Sequence, residues 1–473
     1  MAMKKKPVTG MKDILPKEMA IRDYAIGLIK ETYKDFGFTS VETPAVEHIE
    51  NLTSNQGGEN EKLIFKVLKR GDKLSSSVGK LASDYAAMKA AENLSDDEKQ
   101  GEKNGGVDMN ILSDSGLRYD LTLPLSRYYA NNANELPSPF KALQMGNVWR
   151  ADRPQRGRFR QFMQCDIDIL GEQSIVAEIE LILATTTLLG KLDFKNFTIR
   201  INDRRILKAM AAYSGFKEED YDTVFIILDK MDKIGLDGVK EELLKEGYAE
   251  TSVEKYLGLY GKLVSTEKLS AEAGNEASEE TDKDSSKNKG QISIDNLRMI
   301  KNELGEYLDV EVSSNLETII TSVENAKSAD FGMMFDPTLV RGMSYYTGPI
   351  FEISMDEYGG SVGGGGRYDE MIGKFTGQAT PAVGFSIGFE RIVMLLLESD
   401  FKVPGQTDKK AFLVEKGMPA DKLGKIFDMA KQERENGNSV NVVVMKKNKK
   451  FQKDKMQEEG YTEFVEFFKD REF

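Results

Sequence analysis

The stretch GNVWRADRPQRGRFRQFMQCDIDILG, residues 146–171, predicts two β-strands joined by an arginine-rich loop. Apolar and polar side chains alternate up to Arg150 and again after the loop, which is the period of a strand. Successive side chains point to opposite faces of a strand, so one face of the second strand carries Met163, Cys165, Ile167 and Ile169. The other face carries Gln164, Asp166 and Asp168. The first face suits a core and the second suits chemistry.

The connecting loop combines four cations with two turn-forming residues, namely Arg153, Arg156, Arg158 and Arg160 with Pro154 and Gly157. Four cations above a strand of acids suit a polyanion lying over a small molecule that bears an ammonium group. The alternative is a surface hairpin whose charges are solvated, as charge runs usually are.

This hairpin resembles the second signature motif of the class II aminoacyl-tRNA synthetases. Within that class, Gln164 followed four residues later by Asp168 resembles the histidyl-tRNA synthetases. The resemblance implies an α+β protein with an antiparallel catalytic sheet, in which Gln164 and Asp168 bind histidine.

Length and composition set the general class of the protein. A chain of 473 residues is too long for one ordinary core, and 40% hydrophobic with 30% charged residues is typical of a soluble globular protein. No apolar run of about 18 residues occurs, which argues against a membrane span. The amino terminus, MAMKKKPVTGMKDILP, lacks the apolar stretch of a signal peptide, so we expect a cytoplasmic protein without membrane association.

Two residue types and the net charge exclude further classes. A single cysteine, Cys165, and a single histidine, His48, leave no disulfide and no zinc site of the Cys/His type. A nucleophilic pair of these two is disfavoured because Cys165 falls on the apolar face of its strand. The net charge of -13 argues against nonspecific nucleic-acid binding by the whole surface but allows a local basic face.

The amino-terminal segment predicts an amphipathic helix over residues 21–36 that ends at Gly37, then a strand over 38–47 interrupted by Pro44. This order resembles the first class II motif, which builds the dimer interface in that family and implies a homodimer. Residues 70–115 are a polar insertion with little periodicity, in which 82–92 could form a short helix.

The segment LRYDLTLPLSRYYA, residues 117–130, places Asp120 and Thr122 close together beside a turn at Pro124. A capping role for these two side chains is one interpretation. The segment also resembles the loop that holds the substrate ammonium group in the family, which implies that Asp120 and Thr122 bind histidine.

Residues 194–329 have helical periodicity and predict a separable unit. Within it, residues 265–290 are nearly free of large apolar side chains, which predicts disorder. The arrangement resembles the helical insertion of histidyl-tRNA synthetases, which in the family reaches over the tRNA acceptor arm.

Two later segments, residues 339–353 and 361–373, resemble the two histidine-specific signatures of the family. The first contains Arg341 and the Tyr345-Tyr346 pair, and the second contains the glycine run 363–366, which lets a backbone pass close to a ligand. The resemblance implies that Arg341, Tyr345 and Tyr346 bind histidine. Ser344 stands where the family usually carries an acid.

Residues 382–396 run from a strand into a helix that carries Arg391, and they resemble the third class II motif. In the family this arginine holds the γ-phosphate of ATP. A charge on a helix surface is the alternative interpretation of Arg391.

The last segment alternates strand and helix, as βαβαβ units do. It resembles a short form of the anticodon-binding domain of the family. Its basic cluster, Lys446, Lys447, Lys449, Lys450, Lys453 and Lys455, fits either tRNA or a solvated helix start. The expected domains are the catalytic domain at 1–193 and 330–402, the insertion at 194–329 and the anticodon-binding-like domain at 403–473.

The resemblance implies a histidine–tRNA ligase that joins histidine to ATP and passes it to tRNA(His). It implies that Arg150 and Arg341 are catalytic and that Arg150, Arg158 and Arg391 bind ATP. It also implies Mg²⁺ bound to the phosphates, and the sequence does not identify the protein ligands of that ion. The first alternative is the synthetase-like regulatory subunit of histidine biosynthesis, an ATP phosphoribosyltransferase regulator that charges no tRNA. The second is a tRNA-sensing module without catalysis.

Overall fold

The computed structural model describes residues 3–53, 60–92, 109–275, 284–340, 345–355, 358–405 and 409–472. The chain forms two compact units. The first comprises Met1–Asp13 and Ala25–Leu395, and the second comprises Ile14–Tyr24 and Leu396–Phe473.

The helices and strands are numbered in chain order. The helices are α1 Pro16–Asp35, α2 Ile49–Thr53, α3 Gly71–Glu92, α4 Thr122–Asn132, α5 Val176–Lys191, α6 Arg204–Tyr213, α7 Tyr221–Leu228, α8 Met231–Lys245, α9 Glu250–Asn275, α10 Asp284–Leu304, α11 Val310–Ala326, α12 Asp369–Thr376, α13 Phe389–Glu398, α14 Ala420–Glu435 and α15 Lys449–Glu458. The strands are β1 Thr39–Val41, β2 Val46–His48, β3 Lys66–Leu68, β4 Ser113–Leu117, β5 Phe140–Trp149, β6 Gln161–Leu170, β7 Phe197–Asp203, β8 Phe331–Phe335, β9 Pro349–Met355, β10 Gly360–Arg367, β11 Ala382–Ile387, β12 Lys409–Val414, β13 Ser439–Val444 and β14 Tyr461–Phe467.

The first unit is built on an eight-stranded sheet in the order β1-β5-β6-β11-β10-β9-β7-β8. The two outermost pairs are parallel, and the five pairs between them are antiparallel. Antiparallel pairing therefore dominates, and the predicted α+β fold class is confirmed.

The hairpin of β5 and β6 lies inside this sheet and has the predicted alternation. Cys165, Ile167 and Ile169 are almost fully buried on the core face of β6. Asp166 and Asp168 on the opposite face are only 3% and 2% exposed, so these carboxylates are enclosed by protein and do not lie on a solvated strand.

A buried ion pair fastens the sheet to a helix beside it. Arg367 at the end of β10 donates from Nε to Oε1 of Glu178 at 2.6 Å and from Nη2 to Oε2 at 2.8 Å. Glu178 belongs to α5, and both side chains are buried. This two-pronged geometry fixes the end of β10 against α5.

The predicted polar insertion at 70–115 differs from expectation in two ways. Helix α3 covers Gly71–Glu92 and is longer than the short helix expected at 82–92, because Leu74, Leu81 and Met88 recur every seven residues and lie half-buried on one helix face. Strand β4 pairs with β2 and β3 in a three-stranded sheet. Residues 93–108 lie outside the described residues.

The expected helical insertion at 194–329 begins with a strand. β7 pairs with β8 and β9 in the main sheet, and its alternate residues Phe197, Ile199 and Ile201 are buried. Helices α6 to α11 follow. Residues 265–275 belong to α9 and residues 284–290 to α10, where good helix formers such as Glu, Lys and Ala occur, and the disorder predicted for 265–290 stays a prediction. Residues 276–283 lie outside the described residues.

The second unit has a parallel three-stranded sheet in the order β13-β12-β14, connected through α14 and α15 as the βαβαβ pattern predicted. Its core contains Phe412, Ile426, Ala430 and Phe467. In the basic cluster, Lys449 and Lys453 both pair with Glu466, at 2.9 and 2.7 Å. None of the helices in the described ranges combines the length and apolarity needed to cross a membrane.

Candidate active site

A cleft of about 320 Å³ opens in the first unit above the polar face of β6. It is lined by every predicted site residue that the structure describes, namely Asp120, Thr122, Arg150, Arg158, Gln164, Asp168, Tyr345, Tyr346 and Arg391. Arg341 and Ser344 lie outside the described residues. The cleft thus brings together side chains from six separate segments of the chain.

The floor of the cleft presents hydrogen-bond acceptors. Within the described structure, Oε1 of Gln164, Oδ1 of Asp166 and Oδ2 of Asp168 are buried and have no hydrogen-bond partner. A buried acceptor without a partner is costly. Three of them on one strand therefore indicate a binding surface for a ligand that carries N–H donors.

Asp168 is held by a tyrosine from another strand region. The Tyr368 hydroxyl donates to Oδ1 of Asp168 at 2.6 Å. Burial raises the pKa of Asp168 to about 7, while the Tyr368 hydrogen bond lowers it and the nearby Asp120 raises it. Asp168 therefore changes charge near neutral pH, and a cationic or N–H-bearing ligand would favour its ionised form.

Asp166 stands between the other two acceptors. Gln164 donates from Nε2 to Oδ2 of Asp166 at 3.3 Å and to Oγ of Ser386 at 3.5 Å. Burial raises the pKa of Asp166 well above its usual range, and the charge of Asp168 raises it further. The pKa directions of the two carboxyl groups agree with a site that is short of positive charge when no ligand is bound.

Asp120 fills both of the roles that the sequence left open. It accepts a hydrogen bond from the backbone N–H of Leu123 at 3.2 Å in the first turn of α4, and it also lines the cleft. Burial raises the pKa of Asp120, whereas Arg150 lowers it. Thr122 is the first residue of α4 and lines the same wall.

Three arginines lie around the cleft and differ in how firmly they are held. Arg150 donates from Nε to the carbonyl oxygen of Tyr119 at 2.8 Å, and its guanidinium lies 5.2 Å from the ring centre of Phe162. Arg391 donates from Nη1 to the carbonyl oxygen of Ser361 and lies 5.4 Å from the ring centre of Tyr358.

Arg158 is the loosely held arginine of the three. Its side chain is 49% exposed and lies 3.9 Å from Asp152. Arg150 and Arg391 in fixed positions, together with the more mobile side chain of Arg158, are suited to binding an extended polyanion.

Tyr345 and Tyr346 form one side wall. Their ring centroids are 4.4 Å apart, and both rings pack against the buried cluster that contains Tyr368. An aromatic wall next to an acceptor floor suits a flat heteroaromatic ring with N–H groups.

Two glycines are required by close approach of the strands. A Cβ on Gly365 would lie 1.9 Å from the carbonyl oxygen of Gly384, and a Cβ on Gly384 would lie 2.1 Å from Oδ1 of Asp168. No side chain fits at either position. Gly365 allows β10 to approach the backbone of β11, and Gly384 leaves the space in which Asp168 and Tyr368 meet.

Among the residues that line the cleft and were not predicted as site residues, Asp166, Tyr368 and Ser386 contribute polar groups to its floor. The alternation of β6 placed Asp166 on the correct face, and that signal could have identified it. Tyr368 follows the glycine run, but its contact with Asp168 crosses 200 residues of sequence. Local periodicity carries no information about such a contact.

The sequence matches that of known proteins over most of its length. A sequence model of the family described as histidyl-tRNA synthetase matches residues 113–392. The histidine–tRNA ligase of Leifsonia xyli subsp. xyli is 42% identical over 419 residues, which are 88% of this chain and 85% of that protein. The histidine–tRNA ligase of Christiangramia forsetii is 34% identical over 403 residues, which are 84% of this chain and 78% of that protein.

Solved structures give the same result for the fold. The crystal structure of histidyl-tRNA synthetase from Nostoc sp. PCC 7120 is similar with a TM-score of 0.69 at 25% identity, covering 97% of this chain and 90% of that one. An ATP phosphoribosyltransferase regulatory subunit/histidyl-tRNA synthetase from Bacillus halodurans shares the fold with a TM-score of 0.63 at 18% identity, covering 98% and 99%. The sequence matches and the shared fold together show that this chain belongs to the histidyl-tRNA synthetase family.

Proposed function

We propose that this chain is a histidine–tRNA ligase, which joins histidine and ATP to histidyl-adenylate with release of pyrophosphate and then passes histidine to the 3′ end of tRNA(His). The observation that carries the proposal is the row of buried acceptors on Gln164, Asp166 and Asp168, which have no partner among the described residues. They lie below a rim formed by Arg150, Arg158 and Arg391. The acceptors match the N–H groups of histidine, and the arginines match the phosphates of ATP.

Histidine would occupy the floor of the cleft. Asp120, Thr122 and Gln164 would hold its ammonium group, since they supply carboxylate, hydroxyl and amide oxygens on adjacent walls. Asp168 would accept from a ring N–H of the imidazole. Tyr345 and Tyr346 would close over the ring.

ATP would lie across the arginine rim. The carboxylate of histidine is already a nucleophile, so the site must supply positioning and neutralisation of the charge that grows on the α-phosphate. Arg150 would contact that phosphate, and Arg158 and Arg391 would hold the remaining phosphates. The firm hold on Arg150 and Arg391 supports this assignment, because a preorganised guanidinium loses little freedom on binding.

Arg341 is proposed as the second catalytic arginine, bridging the substrate carboxylate and the α-phosphate. Its position lies outside the described residues. Two residues earlier, the carbonyl oxygen of Leu339 accepts a hydrogen bond of 3.1 Å from Nδ2 of the buried Asn202. That contact anchors the chain at Leu339, in the part of this segment that the structure describes.

Mg²⁺ would accompany ATP and neutralise phosphate charge. In the described ranges, no cluster of three or more histidine, cysteine or acidic side chains is arranged to hold a metal. Mg²⁺ at a phosphate site usually takes one or two carboxylates, the phosphates and water. Asp152 and Glu390 are carboxylates that line the cleft, so the donors present fit such an ion, and these two residues would hold it.

The remaining proposals concern the partners and the location. We propose a homodimer assembled through the predicted helix at 21–36 and the strand at 38–47, as in the first class II motif, and a cytoplasmic location without membrane association. The second unit would bind tRNA(His) through the lysines around α15. The helical segment α6 to α11 would approach the acceptor arm.

The experiment that tests the proposal is aminoacylation of purified tRNA with radiolabelled histidine. We expect ATP-dependent formation of histidyl-tRNA(His). A synthetase-like regulator of histidine biosynthesis or a tRNA-sensing module would form none, so absence of product with folded protein and intact tRNA would contradict the proposal.

A further inference from the structure

The orientation of the Gln164 amide is determined by its neighbours in the cleft. Nε2 donates to Oδ2 of Asp166 at 3.3 Å and to Oγ of Ser386 at 3.5 Å, which leaves Oε1 buried and without a partner in the described structure. In its ionised form, which a bound ammonium group favours, the Asp166 carboxylate accepts hydrogen bonds and cannot donate them. The amide nitrogen is therefore the end that turns toward Asp166.

Ser386 reinforces the same orientation. It lies directly opposite Asp166 in the pairing of β11 with β6, and its hydroxyl lowers the pKa of the Asp166 carboxyl group. A hydroxyl has one proton to donate. Once that proton is directed to Asp166, the oxygen of Ser386 can only accept from Gln164.

We infer that Asp166 is a positioning residue: with Ser386 it fixes the Gln164 amide so that the carbonyl oxygen, and not the NH₂ group, faces the ammonium group of the amino-acid substrate. This inference rests on the proposed function and assigns Asp166 a role in it. The opposite amide orientation would direct donors at a cation. Asp166, two residues from Gln164 on the same face of β6, thus determines whether the Gln164 amide attracts or repels the ammonium group.

An alternative explanation is that Asp166 binds the ammonium group itself through Oδ1, which is also buried without a partner in the described residues. The two explanations differ in one respect. If Asp166 acts through Gln164, replacing Asp166 no longer weakens histidine binding once the side chain at position 164 presents an acceptor in either orientation. If Asp166 binds the substrate directly, replacing Asp166 weakens histidine binding by the same factor for every side chain at position 164.

A double-mutant cycle with Gln164→Glu separates the two explanations. A carboxylate at position 164 has two acceptor oxygens and therefore presents one to the substrate in either orientation. It would also repel the carboxylate of Asp166, and Asp166→Asn would relieve that repulsion. The kinetic constants to measure are KM for histidine, KM for ATP and kcat in histidine-dependent ATP–pyrophosphate exchange, for the parent, both single variants and the double variant.

The expected result is that the effect of Asp166→Asn on KM for histidine disappears or reverses when position 164 is glutamate. Asp166→Asn should raise KM for histidine by about tenfold in the parent, the scale of losing one hydrogen bond to a charged group, with KM for ATP within about twofold. In the Gln164→Glu background the same substitution should leave KM for histidine unchanged or lower it. Asp421→Asn, an exposed site on α14 with the same change of charge, should leave all constants unchanged.

A second variant is needed because Asp166 is buried and Asp166→Asn could impair folding. If Asp166→Asn does not fold, Ser386→Ala replaces it in the cycle. It should raise KM for histidine by a smaller factor in the parent and have no effect beside Gln164→Glu.

Two results would overturn the inference. An equal rise of KM in both backgrounds would assign Asp166 to direct binding, and the proposed function would stand. A parent protein without histidine-dependent exchange would overturn the proposed function and this inference together.

Discussion

The hydroxyl group of Tyr368 donates a hydrogen bond to Oδ1 of Asp168 at 2.6 Å, across the strand that lies between them. That strand, β11, carries Gly384 beside the contact, where a Cβ would lie 2.1 Å from Oδ1 of Asp168 and 3.3 Å from Cε1 of Tyr368. The absence of a side chain at Gly384 is therefore a condition for the geometry of the proposed histidine pocket.

Gly384→Ala should displace Asp168 and weaken histidine binding. The added methyl group cannot fit, and overpacking of this kind destabilises a protein by about 1 to 3 kcal/mol. Thermal unfolding and KM for histidine measure the two effects. The matched control is Gly424→Ala in α14, where a Cβ meets nothing within 4 Å. An alanine variant at 384 with the stability and KM of the parent would contradict the role given to this glycine.

Tyr368→Phe should shift the pH dependence of histidine binding. The Tyr368 hydrogen bond lowers the pKa of Asp168, which burial raises to about 7. Without the hydroxyl the pKa rises further, so the pH below which Asp168 is protonated and KM for histidine increases should move upward. KM measured from pH 6 to 9 tests this. Tyr85→Phe, at a half-exposed tyrosine, should leave the profile in place.

Asp168→Asn should weaken histidine binding by about 1.5 to 3 kcal/mol, the range for a hydrogen bond to a charged group, with KM for ATP little changed. Histidine titration calorimetry and exchange kinetics measure both. Unchanged affinity for histidine would show that Asp168 does not bind the substrate.

The same variant should change the stability of the ligand-free protein in a pH-dependent way. The pKa of Asp168 is raised from 3.8 to about 7, so the folded protein holds this proton more tightly than the unfolded chain. The stability it contributes is present below about pH 4 and is lost as the pH rises through 7. Asp168→Asn should therefore gain more in melting temperature, relative to the parent, at pH 8.5 than at pH 5. An equal difference at both pH values would contradict the raised pKa.

Arg391→Ala should raise KM for ATP by at least tenfold and leave KM for histidine within about twofold, because removal of a charge-assisted hydrogen bond to phosphate costs about 1.5 kcal/mol or more. Arg158→Ala should have a smaller effect, since that side chain is half exposed and loosely held. Equal effects of both substitutions would indicate that rigidity at the rim is unimportant.

Replacement of Lys446, Lys447 and Lys450 by alanine should weaken tRNA binding and leave pyrophosphate exchange unchanged. All three side chains are exposed. For every lysine that pairs with a tRNA phosphate, its replacement should reduce the slope of log affinity against log salt by about one. If the variant has the tRNA affinity and the salt slope of the parent, these lysines do not contact tRNA and are only solvated.

The sequence predicted the hairpin of β5 and β6 well because strict alternation of apolar and polar residues is local information. It predicted α3 and β7 less well. The Gly- and Ser-rich composition of α3 concealed a seven-residue spacing, and β7 precedes a long helical segment whose period dominates the region. Tertiary pairing, which assigns β7 to the main sheet, is absent from any local window.

Most of the candidate site could be predicted because whole motifs resemble those of one family. The contacts that orient the site could not. Tyr368 and Ser386 reach Asp168 and Asp166 from strand regions about 200 residues away in sequence, and their effect on charge depends on burial that only the folded sheet produces.

The most direct test of histidine activation in this cleft is ATP–pyrophosphate exchange by the full chain with each of the twenty standard amino acids in turn. The acceptor floor and the aromatic wall predict exchange with histidine at a rate far above that with any other amino acid, and dependence on ATP with Mg²⁺. No exchange with histidine, or equal exchange with another amino acid, would contradict the assignment of this cleft to histidine activation.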